Sequence, residues 1–329
     1  MTDRFFRRNG VDPASCSPLD RLAFLGNRAM GALSFEPPDE VELPRRELKL
    51  LDLAKDVQTL LAGNDGEVLK ELVVLGGSPH GARPKVLVFY DPHRRLISTQ
   101  PAPGHRACLV KFPAQEEHRE VCAVEDIYCG LARACGLEVP DTWHFDLGSR
   151  LAAFGIARFD VEGGLRVPVH TLAGALHADF RIPSAVDYST FLRATRLFTG
   201  DEREVQKAYE RAAFNVLFNN RDDHPKNFSF RLGRDRLWRL APCYDLTFNP
   251  GPGGEHQMDV CGEGRRITRG HMLQLAKQGG VKPRAATASL DRILEHAGLF
   301  RRLAKDNRIR AATVRSIADA IESNRTDLS

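Results

Sequence analysis

The sequence lacks the features that mark membrane, secreted and zinc-binding proteins. No apolar run approaches the ~18 residues of a membrane span, and the start, MTDRFFRRNGVDPASC, has no apolar core of a signal peptide. The seven cysteines are an odd number without a CxxC pair, which argues against a disulfide framework. His177, His256 and His271 have no second His or Cys at ligand spacing. We therefore expect a cytoplasmic protein with reduced cysteines, without zinc and without membrane contact.

The charge balance is too even to identify a partner. Net charge is +4, the pI is near 8.7 and 27% of residues are charged. Such a mildly basic chain permits contact with nucleic acid or an acidic protein but does not require it. A chain of 329 residues, 42% of them hydrophobic, can bury a core large enough for two lobes.

The apolar periodicity changes along the chain. Its first half predicts helices over 47–63 and near 117–135 among β-branched strands, which are 72–77, 85–91, 107–112, 141–147 and 152–160. The second half is mostly helical, and Thr199 and Glu202 have the spacing of a capping box. We therefore predict an α+β fold with a β-rich N-lobe and a mainly α-helical C-lobe.

A polar cluster, FNNRDDHPKNFSF at 218–230, lies between a predicted helix and a predicted strand. Asp222 and Asn227 have the spacing D-x-x-x-x-N. This pattern suits phosphoryl transfer, because a carboxylate accepts the proton of the attacking hydroxyl and an amide oxygen coordinates the metal. A further metal-binding carboxylate is needed, and Asp245 follows the apolar run WRLAPCYDL. Taken alone, Asp245 also fits a turn cap.

A lysine lies at the centre of an apolar strand upstream. Lys111 in CLVKF needs a partner if it is buried, and Glu125 on the following helix can supply one. A strand lysine also fits an edge position from which it reaches water. The order of the lysine, the glutamate, the D-x-x-x-x-N loop and the later aspartate favours a site for ATP and Mg²⁺.

Glycine-rich stretches occur at two places. Main-chain amides of GGSPHGARPK (76–85) can approach phosphate closely, with charge from Arg83 and Lys85, although a β-turn fits the stretch equally well. Ser78 within it is a candidate for self-phosphorylation. PGPGGEHQMDVCGEG (250–264) is either a substrate-positioning segment or a long surface loop. The basic run at 301–310 fits a solvated helix face, or contact with DNA or an antitoxin.

These segments together resemble HipA-type serine/threonine kinases, the toxins of bacterial toxin–antitoxin systems. GGSPHGARPK, CLVKFP, VEDIYCGLARACGLEVP, ARFD, NRDDHPKNFSF, LAPCYDLTF and PGGEHQMDVCGEGR follow the family's order from about residue 20 onward. The pair N-R-D-D-H-x-K-N and L-A-P-x-Y-D-L is highly specific. The resemblance implies a divergent, two-lobed protein-kinase-like fold.

The resemblance also implies roles for individual residues. Asp222 is then the catalytic base, Asn227 and Asp245 hold Mg²⁺, and Lys111, supported by Glu125, contacts the ATP phosphates. The other nucleotide-binding residues belong to the phosphate loop, the hinge and the two catalytic-lobe motifs: His80, Gly81, Ala82, Arg83, Pro84, Lys85, Ala157, Arg158, Phe159, His224, Lys226, Asn227, Tyr244 and Asp245. Ser78 matches the family's self-phosphorylated serine, although the loop differs from the S-x-x-G-x-Q-x-K form of well-known members.

The resemblance sets an expectation for domains and partners. Residues 1–45 are expected to be a remnant of the N-terminal subdomain with its linker, 46–162 the N-lobe, and 163–329 the helical C-lobe. The short start is similar to HipT-like kinases, in which a separate small HipS-like protein supplies that subdomain; a mis-assigned start or a degraded gene is the alternative. A helix-turn-helix, HipB-like antitoxin is the expected partner, with DNA contacted only through it.

The expected function is an ATP-dependent protein serine/threonine kinase that acts as a toxin. The resemblance implies an aminoacyl-tRNA synthetase as the substrate, phosphorylated on a serine so that translation stops. Two alternatives remain open: an idle nucleotide-binding regulator of a DNA-binding partner, and a small-molecule kinase on the same scaffold.

Overall fold

The computed structural model describes residues 3, 6–7, 10–38, 46–62, 83–148 and 150–329. These fall into two compact units, one drawn from 1–122 and 141–168, the other from 123–140 and 169–329. The predicted strand 72–77 lies outside the described residues. The lobe boundaries at 45 and 162 stay a prediction.

The first unit contains an antiparallel sheet. Its described strands are β1 Glu47–Leu48, β2 Lys85–Asp91, β3 Leu96–Ser98, β4 Arg106–Lys111, β5 Thr142–Asp146 and β6 Ala152–Ala157. They pair in the order β1-β3-β2-β4-β6-β5. The four strands predicted between residues 85 and 160 are confirmed, although the last one ends at Ala157. A short hairpin follows, with β7 Val161–Glu162 and β8 Leu165–Arg166.

The helices α1 Pro18–Leu25 and α2 Leu50–Leu61 belong to the same unit. The predicted start of the second helix at 47 is wrong, because Glu47 and Leu48 pair with Ser98 and Ile97 of β3 instead. The apolar face of α2 is buried through Leu53 and Val57 in the same cluster as the inward side chains of β2. Burial of that face therefore fixes the helix to the sheet.

Residues 26–35 are anchored within the first unit by two charged side chains. The guanidinium of Arg166 donates to the carbonyls of Asn27 at 2.6 Å and Gly31 at 2.7 Å, and also to that of Leu33. The fully buried carboxylate of Asp160 accepts from the Gly31 amide at 2.7 Å and from Arg158 at 2.6 Å. Main-chain groups without a strand or helix partner are thus satisfied by side chains.

The second unit is mainly helical. Helix α3, Glu120–Ala134, lies mostly within it and confirms the helix predicted near 117–135. The later helices are α4 Leu172–Ala175, α5 Tyr188–Thr199, α6 Glu202–Leu217, α7 Arg269–Gln278, α8 Pro283–Leu294, α9 Leu299–Asp306 and α10 Ala311–Leu328. Three strands, β9 Val169–Thr171, β10 Ser229–Leu232 and β11 Trp238–Leu240, form a small antiparallel sheet with β10 in the middle.

The predicted capping box at Thr199 is wrong. Thr199 is the last residue of α5, and Gly200 ends that helix in the left-handed conformation (φ 62°). Helix α6 is capped by Asp201, whose carboxylate accepts from the Arg203 amide at 2.9 Å. The glycine uses the left-handed region at no steric cost, so one helix closes and the next starts within two residues.

The core of the second unit forms around α6, whose Val205, Ala208 and Ala212 are fully buried. Tyr128 of α3 packs edge-on against Phe214 and Phe218, and its hydroxyl donates to the Phe218 carbonyl at 2.6 Å. This core holds the C-terminal end of α6, where the polar cluster begins. Among the described residues no helix is both long and apolar enough to cross a membrane.

Candidate active site

The polar cluster occupies the connection between α6 and β10. Helix α6 ends at Leu217, Asn219 takes a positive φ of 54°, and Pro225–Asn227 form a single 3₁₀ turn before β10. Within this connection the Asn227 Nδ2 donates to the main-chain carbonyl of Asp222 at 2.7 Å. The D-x-x-x-x-N spacing therefore closes into a loop, and its two named residues are in direct contact.

Asp222 is accessible within this loop. Its side chain is 41% exposed, and its Oδ1 lies 3.8 Å from the Nε2 of His224. The imidazole of His224 packs edge-on against the ring of Phe180 at 5.4 Å between centroids. An exposed carboxylate on a packed loop can receive a proton from a bound hydroxyl and release it to solvent.

Asp223, the adjacent acid, is buried and engaged on every side. Its Oδ2 accepts from the Tyr188 hydroxyl at 2.6 Å and contacts the His256 Nδ1 at 2.7 Å. Its Oδ1 accepts from the amide of Gln257 at 2.8 Å. Asn215 Nδ2 donates to the same Tyr188 hydroxyl at 2.9 Å. The doublet therefore divides into an accessible acid and a structural one, and nothing in the sequence pointed to Asp223, Tyr188 or His256 as part of the site.

Tyr244 ties the second motif to the first. Its hydroxyl donates to the Lys226 carbonyl at 2.7 Å and lies 2.5 Å from the Ser229 Oγ. Burial raises the pKa of Tyr244, so the phenol stays protonated and continues to donate. Tyr244 and Asn227 line the same small cavity, of about 10 Å³, together with Asp223. The LAPCYDL motif thus reaches the D-x-x-x-x-N loop through this tyrosine.

Asp245 follows in an uncommon backbone conformation, with φ 56°. A positive φ is costly for residues other than glycine, and such strain concentrates at functional sites. At Asp245 this conformation turns the chain directly after Tyr244.

The side-chain oxygens available in this region suit Mg²⁺ better than a metal whose ligands all come from the protein. The bond from Nδ2 to Asp222 orients the Asn227 amide and leaves its Oδ1 without a hydrogen bond to any described residue. No group of three or more His, Cys, Asp or Glu side chains at metal-binding distance occurs in the described part of the chain. Mg²⁺ commonly takes one or two protein oxygens and completes its shell with water and phosphate, which Asn227 and Asp245 can satisfy.

Lys226 is held by aromatic packing. Its Nζ lies 3.7 Å from the centroid of the Phe180 ring, a cation–π contact. Burial and the nearby Arg181 lower the pKa of Lys226. The Lys226 ammonium is therefore held against the Phe180 ring, and the side chain of Asp222 in the same loop stays accessible.

The first unit carries two lysines on adjacent strands. Lys85 and Lys111 lie directly opposite each other in the β2–β4 register, and both are 7% exposed. The Nζ of Lys111 also lies 5.8 Å from the Phe154 ring centroid. Like charges directly across an antiparallel pair repel. Contact of Lys85 and Lys111 with the ATP phosphates stays a prediction.

The predicted phosphate loop is described only at its end. Ser78, His80, Gly81 and Ala82 lie outside the described residues. Arg83 donates to the carboxylate of Glu117 at 2.8 Å, and the Pro84 carbonyl accepts from the Phe112 amide at 2.9 Å. The Nε of Arg83 is therefore engaged by a carboxylate, and contact of Arg83 with phosphate stays a prediction.

The predicted hinge lies at the end of β6. The Ala157 amide donates to the Asp141 carbonyl at 2.8 Å, and the Arg158 amide to that of Ala107 at 2.9 Å. Adenine recognition by main-chain groups of 157–159 stays a prediction. Glu125 is buried in α3 at 1% exposure, and its pairing with Lys111 also stays a prediction.

Comparison with known proteins gives consistent matches. A family model described as the HipA-like C-terminal domain matches residues 77–298. Y4mE of Sinorhizobium fredii, whose name marks it as a candidate kinase, is 29% identical over 309 residues, which cover 83% of this chain and 68% of Y4mE.

Comparison with solved structures gives two further matches. A chain of the Shewanella oneidensis MR-1 complex of HipA, HipB and operator DNA gives a TM-score of 0.73 at 18% identity, covering 99% of this chain and 81% of that chain. The Helicobacter pylori proinflammatory kinase CtkA gives a TM-score of 0.46 at 13% identity, covering 74% of this chain and 90% of its own. The first of these matches confirms the predicted α+β fold.

Proposed function

This chain belongs to the HipA-like C-terminal domain family, as its motifs predict, and on that premise we propose that it is an ATP-dependent protein serine/threonine kinase. The observation that carries the proposal is the closed loop from Asp222 to Asn227. In this loop the side-chain amide of Asn227 donates to the main-chain carbonyl of Asp222, and the carboxylate of Asp222 is accessible. Phosphoryl transfer to a hydroxyl needs these two groups side by side.

Asp222 accepts the proton of an acceptor serine or threonine hydroxyl in the proposed reaction. The hydroxyl oxygen forms a bond with the γ-phosphorus of ATP, while the bond from that phosphorus to the β–γ bridging oxygen breaks and ADP leaves. The accepted proton passes from Asp222 to solvent, to which its side chain is 41% exposed. The His224 Nε2 lies 3.8 Å from this carboxylate, and His224 belongs to the proposed nucleotide-binding residues.

The remaining residues hold the nucleotide in this proposal. Asn227 and Asp245 would bind Mg²⁺, which neutralises charge on the phosphate oxygens when it is bound. Lys85 and Lys111 offset further phosphate charge from the first unit. Residues 80–85 and 157–159 are the proposed phosphate loop and adenine contacts.

Asp222→Asn tests the proposal directly. The purified chain is incubated with γ-labelled ATP, Mg²⁺ and a cell lysate, and labelled sites are identified by mass spectrometry. We expect label on serine or threonine of a protein of synthetase size, and a loss of about 10²–10⁴-fold in Asp222→Asn because the base is removed. The control is Asp235→Asn, which alters an exposed, arginine-paired aspartate on the β10–β11 turn.

The same experiment separates the alternatives. Label in a small molecule and in no protein would indicate a small-molecule kinase. ATP binding without turnover would indicate an idle regulatory module. Equal activity of Asp222→Asn and the wild type would refute the assigned base.

A toxin role extends the proposal. The S. oneidensis structure contains HipA with HipB and operator DNA, and by analogy we propose a helix-turn-helix antitoxin, a HipS-like small protein and an aminoacyl-tRNA synthetase substrate for this chain. Self-phosphorylation at Ser78 belongs to the same proposal. Expression of the wild type should stop growth, and expression of Asp222→Asn should not; growth arrest by both variants would contradict a catalytic toxin.

A further inference from the structure

The segment from Asn249 to Arg265, named segment 249–265 below, lies along the connection that carries Asp222. The Asn249 amide donates to the Asn219 carbonyl at 3.1 Å, and the Asn219 side chain donates back to the Asn249 carbonyl at 3.1 Å. Asn220 and Asn249 also form a parallel bridge. The start of the segment is thereby attached to the start of the connection.

Arg221 holds two further points of the same segment. Its guanidinium donates to the carbonyl of Gly254 and, at 3.1 Å, to that of Arg265. The chain closes tightly here, because a Cβ at Gly251 (φ 76°) would overlap the Glu255 carbonyl oxygen and lie 2.9 Å from the Arg221 Cβ. One side chain therefore bridges residues eleven positions apart in the sequence.

Asp223 holds the middle of the segment. Its carboxylate contacts the His256 ring at 2.7 Å and accepts from the Gln257 amide at 2.8 Å. Both Asp223 and His256 are buried, at 1% and 3% exposure. A carboxylate buried with this many partners fixes the backbone that supplies them.

Arg221 and Asp223, which both contact segment 249–265, lie on either side of Asp222 in the sequence. Arg221 and Asp223 contact the segment, whereas Asp222 between them has 41% of its side chain exposed. The segment is thus held by the residues on either side of Asp222 in the sequence, while Asp222 itself stays accessible.

The segment also has an unusual composition for a regulated loop. From Phe248 to Ile267 there is no serine, threonine or tyrosine. A phosphate cannot be added there to order the segment through arginine. The two terminal nitrogens of Arg221 donate instead to main-chain carbonyls.

We propose that Arg221 and Asp223 are positioning residues that keep segment 249–265 permanently in the conformation required for a protein acceptor, so that no modification of the segment is needed for activity. This inference rests on the proposed kinase function. It assigns the two residues to acceptor binding and leaves ATP binding to others.

Arg221→Met removes the donors while keeping the length of the side chain. We expect amide hydrogen exchange in 249–265 to rise about tenfold or more, because local opening is no longer opposed. The KM for dephosphorylated casein, used as a generic acceptor, should rise about tenfold, whereas the KM for ATP stays within about twofold. Asp223→Asn should give the same pattern, and Arg221→Lys, with fewer donors, an intermediate one.

Arg292→Met is the matched control. Arg292 also donates to a main-chain carbonyl of the second unit, that of Cys135, and it pairs with Glu210 at 2.8 Å. Its loss should lower the melting temperature without raising exchange in 249–265 or the casein KM. Wild-type exchange and wild-type casein KM in Arg221→Met would overturn the inference.

Failure of the proposed function would look different. A wild-type chain that transfers no phosphate from ATP would refute the kinase proposal, while the exchange measurement would still decide whether Arg221 holds the segment. If Asp223→Asn fails to fold, Arg221→Met and Arg221→Lys carry the test.

Discussion

Two neighbouring acids with the same side chain have opposite environments in this protein. Asp222 is accessible, and Asp223 is enclosed by Tyr188, His256 and the Gln257 amide. The sequence singled out Asp222 and Asn227 by their spacing, and the structure joins them by a hydrogen bond from the Asn227 side chain to the Asp222 carbonyl; their roles as base and metal ligand stay a prediction. The sequence did not predict the partners of Asp223, which come from positions 35 residues before and 33 residues after it.

Tyr188→Phe tests the buried network at Asp223. The change removes a hydroxyl that donates to the carboxylate at 2.6 Å and accepts from Asn215 at 2.9 Å. Two polar groups are left short of a partner, so we expect the free energy of unfolding to fall by about 1–3 kcal/mol. Urea denaturation followed by circular dichroism measures this.

Tyr209→Phe is the natural comparison. Tyr209 is equally buried, and its hydroxyl has no hydrogen-bond partner among the described residues. Removing that hydroxyl should leave stability unchanged or raise it, because an unsatisfied buried group is lost. Equal destabilisation by the two changes would mean that the hydroxyl bonds of Tyr188 contribute nothing.

At the scale of helices and strands, local patterns predicted most of the described elements. Strands β2, β4, β5 and β6 and helix α3 lie where periodicity placed them. The errors occurred at ends, where a tertiary contact or a glycine decides. Pairing with β3 converts the predicted start of α2 into a strand, and Gly200 moves the cap of α6 from Thr199 to Asp201.

Two glycine substitutions should have opposite effects at this scale. A Cβ at Gly155 in β6 would lie 2.9 Å from the Phe145 ring and 3.4 Å from the Cys108 Sγ, so Gly155→Ala should overpack the sheet and cost about 1–3 kcal/mol. A Cβ at Gly130 in α3 would meet only Leu303, at 3.8 Å. Gly130→Ala should therefore gain about 0.5–1 kcal/mol of helix stability.

Calorimetric melting of both variants checks the pair. A lower melting temperature for Gly155→Ala and a higher one for Gly130→Ala are expected. Destabilisation by Gly130→Ala, or tolerance of Gly155→Ala, would show that the packing around that glycine has been misjudged.

For the molecule as a whole, the sequence predicted a β-rich half followed by a helical half. The first unit is β-rich and the second is mainly helical. A division into contiguous stretches could not anticipate that residues 123–140 group with 169–329. The grouping depends on contacts distant in sequence, such as Tyr128 with Phe214 and Phe218. Ser78 and residues 80–82 lie outside the described residues, so the phosphate loop rests on sequence alone.

The expectation of reduced cysteines gives a test on the whole chain. None of the seven cysteines, all of which the structure describes, forms a disulfide; five of them are buried, and Cys16 and Cys261 are half-buried. Burial raises the pKa of Cys108 and of Cys135 to about 12. At pH 8 such thiols are thiolate at only about one part in 10⁴, so they should not react while folded.

Titration with a chromogenic disulfide reagent checks this. About two thiols should react in the folded protein and all seven after denaturation. A reducing agent should leave the melting temperature unchanged. Rapid modification of five or more thiols under native conditions would mean that the cores open readily.

Arg166 and Asp160 hold residues 26–35 through backbone atoms alone. Bonds of that kind do not depend on the side chains of the residues they hold. Substitutions at the exposed positions Ala32, Leu33 and Ser34 should therefore leave them in place.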